Sequence, residues 1–282
     1  MEDYNKTSLT HFCATVCNAI GIKPPEQAEP PIAWVSETLR QLSKDGFDRV
    51  LIHNPDAVGM WLYQDYPDAF LPVLKHTHLT VPLCSPMPSV TPVCFGTMYT
   101  GAAPSVHGIR EYAKPVIKID TFFDAALRAG KRVALIATPT CSLSNIFIGH
   151  GIEYYHCACE GEIIEKAQQL IARDEYDIIC VYTYMFDTLN HRNGPFHPET
   201  QNALYRQGQY FDMLATTVKR LWKHHNTLIS FSPDHGVHEV IPYGSELNSK
   251  GKPVRGHHGS DCTQDRNILH YMGVIRRSDG KG

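Results

Sequence analysis

Short apolar runs alternate along this chain with longer stretches in which apolar residues recur at helical spacing. Six runs have the length and continuous apolar character of strands that are buried on both faces. They are Arg49–His53, Leu79–Leu83, Arg132–Ala137, Ile152–His156, Asp177–Tyr182 and Thr227–Ser232. The helical stretches are Val58–Lys75, Thr91–Thr100, Thr121–Ala129, Gly161–Ala172 and Glu199–His224. This alternation predicts an α/β fold with a mainly parallel central sheet and helices on both of its faces.

The N-terminal part of the chain stands apart from this alternation. Ser8–Ile20 and Ala33–Ser43 each predict a short helix, and the proline-rich segment Gly21–Pro31 between them cannot continue either one. We therefore expect an N-terminal helical extension, residues 1–45, and one larger domain, residues 46–282. The extension would cover the sheet edge, contact a second subunit or lie over a functional site. Near the other end, the polar, glycine-rich stretch Tyr243–Gly256 predicts a surface loop or a small hairpin.

Composition excludes several classes of function. Lys and Arg number 26 against 29 Asp and Glu, so that no basic field favours nucleic acid. No apolar run reaches the roughly 18 residues of a membrane helix, and we expect no membrane association. The N-terminus is polar and the nine cysteines form no C-x-x-C pair, which predicts reduced thiols and a cytoplasmic protein. The oligomeric state stays open, a homodimer included.

Sixteen histidines direct attention to metal ligands, and ligand sites in open α/β sheets lie beyond the carboxyl ends of the strands. Asp56 follows the first apolar run, and Thr91 precedes Pro92, which predicts a helix N-cap at Thr91. Asp56 would suit a metal ligand and Thr91 a nucleophile, but taken alone each residue is better explained as an ordinary helix cap. Asp187 and His191 lie four residues apart, so that on one helix face they would chelate a cation or form a solvated pair.

Two later segments carry further candidate ligands. Asp234 and His235 follow the last apolar run and are closed by Gly236. Placing both in a core would bury a charge that needs a partner, which favours a functional role. His257 and His258 stand between glycines, where they are either metal ligands on a flexible backbone or incidental histidines of an exposed loop.

Taken in order, these segments resemble the alkaline phosphatase superfamily, and in particular its type I phosphodiesterase/nucleotide pyrophosphatase branch, with phosphonoacetate hydrolase also similar. The matching residues are Thr91, Gly101 and His107-Gly108-Ile109; Asp187, His191 and Gly194-Pro195; Ser232 to Gly236; and Gly256 to Gly259. Asn190 stands where the family usually has glycine. The resemblance extends over residues 46–262 and does not explain the N-terminal segment.

The resemblance implies two divalent metal ions, zinc foremost and manganese as an alternative. One ion would be held by Asp187, His191 and His258, and the other by Asp56, Asp234, His235 and the hydroxyl of Thr91. His257 is the alternative to His258. The resemblance further implies an alkaline phosphatase-like fold with a minimal cap, and a threonine nucleophile, Thr91, that forms a covalent phospho-enzyme intermediate. The expected activity is hydrolysis of a small phosphoric ester, diesters foremost.

One departure weakens any claim to a nucleotide or phosphonoacetate substrate. Cys94 stands where nucleotide pyrophosphatases and phosphonoacetate hydrolase usually have an asparagine that contacts the phosphoryl group. The segment after Thr91 also lacks the C/S-x-P-x-R pattern of sulfatases, which excludes that class. Three alternatives remain open: a phosphomonoesterase or a phosphonate hydrolase with the same site, or a non-catalytic protein that binds a phosphorylated ligand.

Overall fold

The structure, a computed structural model, describes residues 3–248 and 250–278. Its strands are β1 (Arg49–Pro55), β2 (Leu79–Cys84), β3 (Val133–Ala137), β4 (Glu153–His156), β5 (Ile178–Thr183), β6 (Thr227–Phe231), β7 (His238–Glu239), β8 (Gly256–His257) and β9 (Asn267–Ile275). Its α-helices are α1 (His11–Ala19), α2 (Ala33–Leu42), α3 (Met60–Asp65), α4 (Leu71–Leu74), α5 (Thr91–Thr100), α6 (Pro104–His107), α7 (Phe122–Arg128), α8 (Ser142–Ile146), α9 (Glu160–Arg173), α10 (Met185–Asn193), α11 (Pro198–Leu221) and α12 (Thr263–Arg266). No helix among these residues is long and apolar enough to cross a membrane.

Seven strands form one sheet in the order β2-β9-β6-β1-β5-β3-β4. Strand β9 runs antiparallel to both of its neighbours, β2 and β6, and the other pairings are parallel. The predicted α/β fold with a mainly parallel sheet is thereby confirmed. The apolar pattern did not predict β9, because His270 and Gly273 interrupt its run.

The central strands are buried on both faces, as their continuous apolar sequences require. Val50 and Ile52 of β1 point into one core, which helices α1, α2, α5, α7 and α8 complete. Leu51, between them, points into the other core, beneath helices α9, α10 and α11. Strands β6, β1 and β5 are neighbours and run parallel. The loops at their carboxyl ends therefore lie side by side.

The N-terminal segment packs against the same sheet. Phe12 and Val16 of α1 belong to the first core. The backbone N–H of Leu9 donates to the carbonyl of Cys84 at 3.0 Å, and the N–H of Cys84 donates to Thr7 at 2.8 Å. The segment therefore lies along the edge strand β2. The division at residue 45 stays a prediction.

Two predicted elements differ in detail. The single helix predicted over Val58–Lys75 is broken into α3, a 3₁₀ turn over Pro67–Phe70, and α4. Prolines 67 and 72 lack the N–H that a continuous helix would need there. The predicted loop or hairpin Tyr243–Gly256 ends in the short pairing of β7 with β8. Its residue 249, and residues 1, 2 and 279–282 of the predicted domains, lie outside the described residues.

Candidate metal centre

The candidate ligands come together beyond the carboxyl ends of the central strands. Asp56 directly follows β1, and Asp234 and His235 follow β6. Asp187 and His191 project from α10, the helix that follows β5, and thus share a helix as their spacing predicts. His258 directly follows β8.

Helix α5 begins one residue earlier than predicted. Val90, in an extended conformation, is the N-cap of α5, and Thr91 is the first helical residue. The Thr91 hydroxyl faces His235, whose Nε2 atom lies 3.3 Å away. The prediction of Thr91 as N-cap is therefore wrong, but its hydroxyl does lie beside the other candidate ligands.

Asp56, Asp234 and His235 form a group that we call the buried cluster. His235 Nε2 lies 3.4 Å from an oxygen of Asp56 and 3.4 Å from an oxygen of Asp234. All three side chains are buried, and their donor atoms lie within 4.8 Å of one another. Thr91 adds its hydroxyl to this group.

Asp187, His191 and His258 form a second group, the rim cluster. The Nε2 atoms of His191 and His258 are 3.2 Å apart, and one oxygen of Asp187 lies 3.4 Å from the first and 3.6 Å from the second. His257 also has a ring nitrogen within 4.8 Å of the two histidine donors. His258 is the histidine that joins the clusters, because its ring stacks on His235 with centroids 4.1 Å apart.

Donor spacing and unpaired oxygens both fit metal ions at the two clusters. Tetrahedral coordination with bonds of about 2.0–2.1 Å places neighbouring donor atoms about 3.3 Å apart. The separations within both clusters, 3.2 to 3.6 Å, match that spacing. The oxygens of Asp56, Asp187 and Asp234 that face the histidines are buried without a hydrogen-bond partner. A buried carboxylate oxygen needs such a partner, and a cation supplies it.

Backbone carbonyls orient the three histidine rings. The Nδ1 atom of His191 lies 2.9 Å from the carbonyl of Gly256, that of His235 2.9 Å from Gly236, and that of His258 3.1 Å from Ser89. A carbonyl only accepts, so each Nδ1 carries the proton and each Nε2 directs a lone pair into its cluster. This is the arrangement that metal-binding histidines use.

Hydrogen bonds fix the carboxylates of Asp56 and Asp234, and their burial disfavours the ionised form that a cation would stabilise. The Tyr182 hydroxyl donates to Asp56, and the backbone N–H of Ala57 donates to Asp234 at 3.2 Å. Burial raises the pKa of Asp56 well above its usual value, and the nearby charges of Asp234 and Asp187 raise it further. Burial also raises the pKa of Asp234 to about 6. The neighbourhood therefore disfavours the ionised carboxylates unless a positive charge joins them.

A third group, His238, Cys262 and Asp265, has the residue types of a metal site but a different geometry. His238 Nδ1 lies 2.8 Å from Asp265, and Nε2 lies 3.1 Å from Glu246, which are hydrogen-bond distances. Burial acts to lower the pKa of His238, but Asp265, Cys262 and Glu246 together raise it to about 11. The group is an ion-paired imidazolium. Neither His238 nor Asp265 belongs to a motif, so that no sequence pattern predicts this pair.

Two residues that depart from the family pattern are both buried. Cys94 lies in the first core beneath the buried cluster, and burial, with the charges of Asp234 and Asp56, raises the pKa of its thiol well above its usual value. Asn190 lies in α10 against Gly256, where a Cβ atom on the glycine would come within 2.4 Å of the Asn190 side chain. Gly256 is therefore required by the bulk of Asn190.

A cleft of about 890 Å³ opens beside the two clusters. The residues that line it include the candidate ligands Asp56, Thr91, Asp187, His191 and His258, together with His257 and Tyr182. Its walls are aromatic, aliphatic and charged side chains from loops on both sides: Glu111, Tyr112, Lys114, Tyr184, Leu247 and Lys250.

The chain has the α/β fold of nucleotide pyrophosphatase/phosphodiesterases, which is alkaline phosphatase-like. A structure of murine ectonucleotide pyrophosphatase/phosphodiesterase 5, an inactive threonine-to-alanine variant in complex with AMP, matches with a TM-score of 0.62 and 14% identity over 80% of this chain and 88% of that chain. The same murine protein without this substitution matches equally well. The human protein matches with a TM-score of 0.59 and 14% identity, over 80% of this chain and 87% of that chain.

No protein-family model and no curated protein matches the sequence. The likeness is therefore carried by three-dimensional structure, and at this identity it shows the fold. The predicted alkaline phosphatase-like fold is confirmed by these matches.

Proposed function

We propose that this protein is a metal-dependent hydrolase of phosphoric esters, that it prefers diesters, and that Thr91 is its nucleophile. One observation carries the proposal. A hydroxyl at the start of a helix lies 3.3 Å from the first of two adjoining clusters whose donor atoms have the spacing of metal ligands. The inactive murine variant, in which a threonine is replaced by alanine, supports the choice of a threonine nucleophile.

The ligand sets are those of the two clusters. Asp56, Asp234, His235 and the Thr91 hydroxyl would hold one divalent ion, and Asp187, His191 and His258 would hold the other. Mixed imidazole and carboxylate donors suit zinc, with manganese as the alternative. Two such ions would supply Lewis acidity, which would lower the pKa of a bound hydroxyl and offset the negative charge of the phosphoryl oxygens.

The protein's own groups supply position and direction. The Thr91 hydroxyl is held at the first residue of α5, where the helix dipole and the free backbone N–H groups attract an anionic phosphoryl group. Its attack on the phosphorus of a diester expels one alcohol and leaves the other ester group on a phosphothreonine intermediate, which water then hydrolyses to release a phosphomonoester and restore the hydroxyl. Tyr182 and Ala57 hold the carboxylates of Asp56 and Asp234 through this cycle.

The cleft supports a preference for diesters. A second ester group needs space and apolar contacts beside the reacting phosphorus, and the walls of the cleft offer Tyr112, Tyr184 and Leu247. Lys114 and Lys250 add positive charge on the same walls, which suits an anionic substituent. The murine complex with AMP supports a nucleotide-like substituent as one member of this class.

The proposed location is the cytoplasm. All nine cysteines are free thiols, and several of them are buried. Such a set of thiols is typical of a reducing compartment.

The test compares diester and monoester hydrolysis in wild type, Thr91→Ala and Thr91→Ser. We expect about two metal ions per chain, faster turnover of bis(p-nitrophenyl) phosphate than of p-nitrophenyl phosphate, and a loss of about 10³-fold or more in kcat for Thr91→Ala. Thr91→Ser keeps a hydroxyl and should retain measurable activity. Undiminished activity of Thr91→Ala, or a metal-free active protein, would falsify the mechanism, and faster monoester turnover would make the protein a phosphatase.

A further inference from the structure

Helix α10 supplies Asp187 and His191 to the rim cluster, but its N-cap residue makes no side-chain capping bond. The first two backbone N–H groups, of Tyr184 and Met185, instead donate to one oxygen of Glu160, at 2.7 and 2.8 Å. Glu160 opens a different helix, α9, and is buried. A carboxylate in this position satisfies two donors that a helix start leaves free and faces the positive end of the helix dipole.

Glu160 also ends a chain of buried hydrogen bonds that begins on strand β1. The Thr183 hydroxyl donates to the side-chain oxygen of Gln207 at 2.6 Å, and the Gln207 amide donates to Glu160 at 3.4 Å. His53 Nε2 lies 2.9 Å from the same hydroxyl and must donate to it, because the hydroxyl proton is already used. Every hydrogen bond in this series thus has a defined donor and acceptor. The series therefore favours one arrangement of β1, β5, α11 and α9, the elements that it joins.

Both ends of this chain reach a segment that carries candidate ligands. At one end, the Thr183 carbonyl accepts the backbone N–H of Asp56 at 2.9 Å, and His53 precedes Asp56 by three residues on the same segment. At the other end, Glu160 holds the first turn of α10, and Asp187 lies two residues beyond Met185. This series of hydrogen bonds therefore connects the segment that carries Asp56 of the buried cluster with helix α10, which carries Asp187 and His191 of the rim cluster.

We propose that Glu160 is a positioning residue that holds helix α10, and with it the donor spacing of the rim cluster. The metal-binding part of this inference rests on the proposed function. Glu160 touches none of the candidate ligand atoms and acts through the backbone of α10. A small displacement of that helix moves Asp187 and His191 relative to His258, which a separate loop carries.

The experiment compares Glu160→Ala with Glu162→Ala, a matched control on the same helix. Glu162 accepts the backbone N–H of Ala158 at 2.8 Å and is exposed, so that its removal deletes a similar bond that does not reach α10. Two quantities are measured: amide hydrogen exchange of residues 184–191 in chelator-treated protein, and the affinity for zinc alone by competition with a chromophoric chelator. Glu160→Gln serves as the conservative variant, because its amide oxygen still accepts.

In Glu160→Ala we expect exchange in α10 to accelerate about tenfold or more while exchange in α11 stays unchanged. The affinity for one zinc ion should fall about 10-fold to 100-fold, and the affinity for the other should stay within about threefold. Glu160→Gln and Glu162→Ala should both remain within about threefold of wild type in every measurement.

Unchanged exchange in α10 overturns the inference, whether or not zinc binds. An equal loss of both ions, or the same loss in Glu162→Ala, also overturns it, because either result indicates general destabilisation. If Glu160→Ala does not fold, Gln207→Leu breaks the chain one step away, and unchanged exchange and unchanged zinc affinity there count against the inference equally. A wild type that binds no zinc contradicts the proposed function, and the exchange measurement then decides this inference separately.

Discussion

The histidines of the candidate metal centre differ from His53 and His270 of the core in which ring nitrogen, Nδ1 or Nε2, the protein holds by a hydrogen bond. In His53 and His270, Nε2 is occupied, by the Thr183 hydroxyl at 2.9 Å and by the Pro233 carbonyl at 2.8 Å. Burial lowers the pKa of His53 to about 3 and that of His270 to about 4, so that both rings stay neutral near pH 7. In the two clusters, Nδ1 is anchored instead and Nε2 stays free to bind.

We expect Asp234, a candidate ligand, to destabilise the protein when no metal is bound. Its free oxygen and that of Asp56 both lie 3.4 Å from His235 Nε2, so that two buried carboxylates face each other across one ring nitrogen. We expect Asp234→Asn to lower the metal content by about one ion. In chelator at pH 8 it should raise the free energy of unfolding by about 1 kcal/mol or more, because a neutral amide removes the repulsion.

Elemental analysis and urea unfolding in chelator measure both effects. Asp45→Asn is the control, because Asp45 pairs with Arg277 on the surface, and the change in its free energy of unfolding should stay within about 1 kcal/mol. An Asp234→Asn protein that keeps both ions, or that is less stable than wild type in chelator, would contradict this account.

At the scale of elements, α12 and β9 hydrogen-bond to the two loops that carry His258 and Asp234. Asp265 of α12 accepts from His238 Nδ1 at 2.8 Å and from the backbone N–H of Ser260 at 2.9 Å. His270 of β9 donates to the Pro233 carbonyl, directly before Asp234. Strand β9 thus contributes to the site although it supplies no ligand to it.

The expected cost of removing Asp265 is large. Asp265 is fully buried and pairs with a charged imidazole, so that Asp265→Ala should lower the free energy of unfolding by about 3 to 5 kcal/mol. Asp261→Ala is the control from the same segment, because its pair with Arg266 is 64% exposed at the carboxylate, so that its loss should change the free energy of unfolding far less than the loss of Asp265 does. Urea unfolding curves give both values, and equal costs would show that the buried pair has no special role.

At the scale of the whole molecule, we expect the N-terminal segment to unfold together with the rest of the chain. Phe12 is buried in the first core, where its ring contacts Tyr99 of α5 and His270 of β9 edge to face. Phe12→Ala should therefore lower the free energy of unfolding by about 3 to 5 kcal/mol, as a large cavity in a core does. Trp34→Ala, at a side chain that is 48% exposed in the same segment, should cost about 1 kcal/mol or less. A marginal effect of Phe12→Ala in urea unfolding would indicate an independent extension.

The sequence predicted the parts of this molecule that depend on local pattern. Six strand positions follow from apolar runs. Asp56, Thr91, Asp187 and Asp234 lie together because the strands that precede them run in the same direction and end at the same side of the sheet. Contacts between distant segments left no such pattern. Strand β9 pairs antiparallel between β2 and β6, and only the folded chain brings Glu160 to α10.

The anchors of the three candidate-ligand histidine rings are main-chain carbonyls, and this limits how the candidate site changes under mutation. No substitution deletes a carbonyl, so that a change of side chain at Ser89 leaves its acceptor in place, while Gly256 is already required by the bulk of Asn190. Gly236 is further constrained, since a Cβ atom there would lie 2.0 Å from the carbonyl of Gln264. A directed-evolution library for altered metal preference should therefore vary the residues that support the carboxylates, beginning with Tyr182.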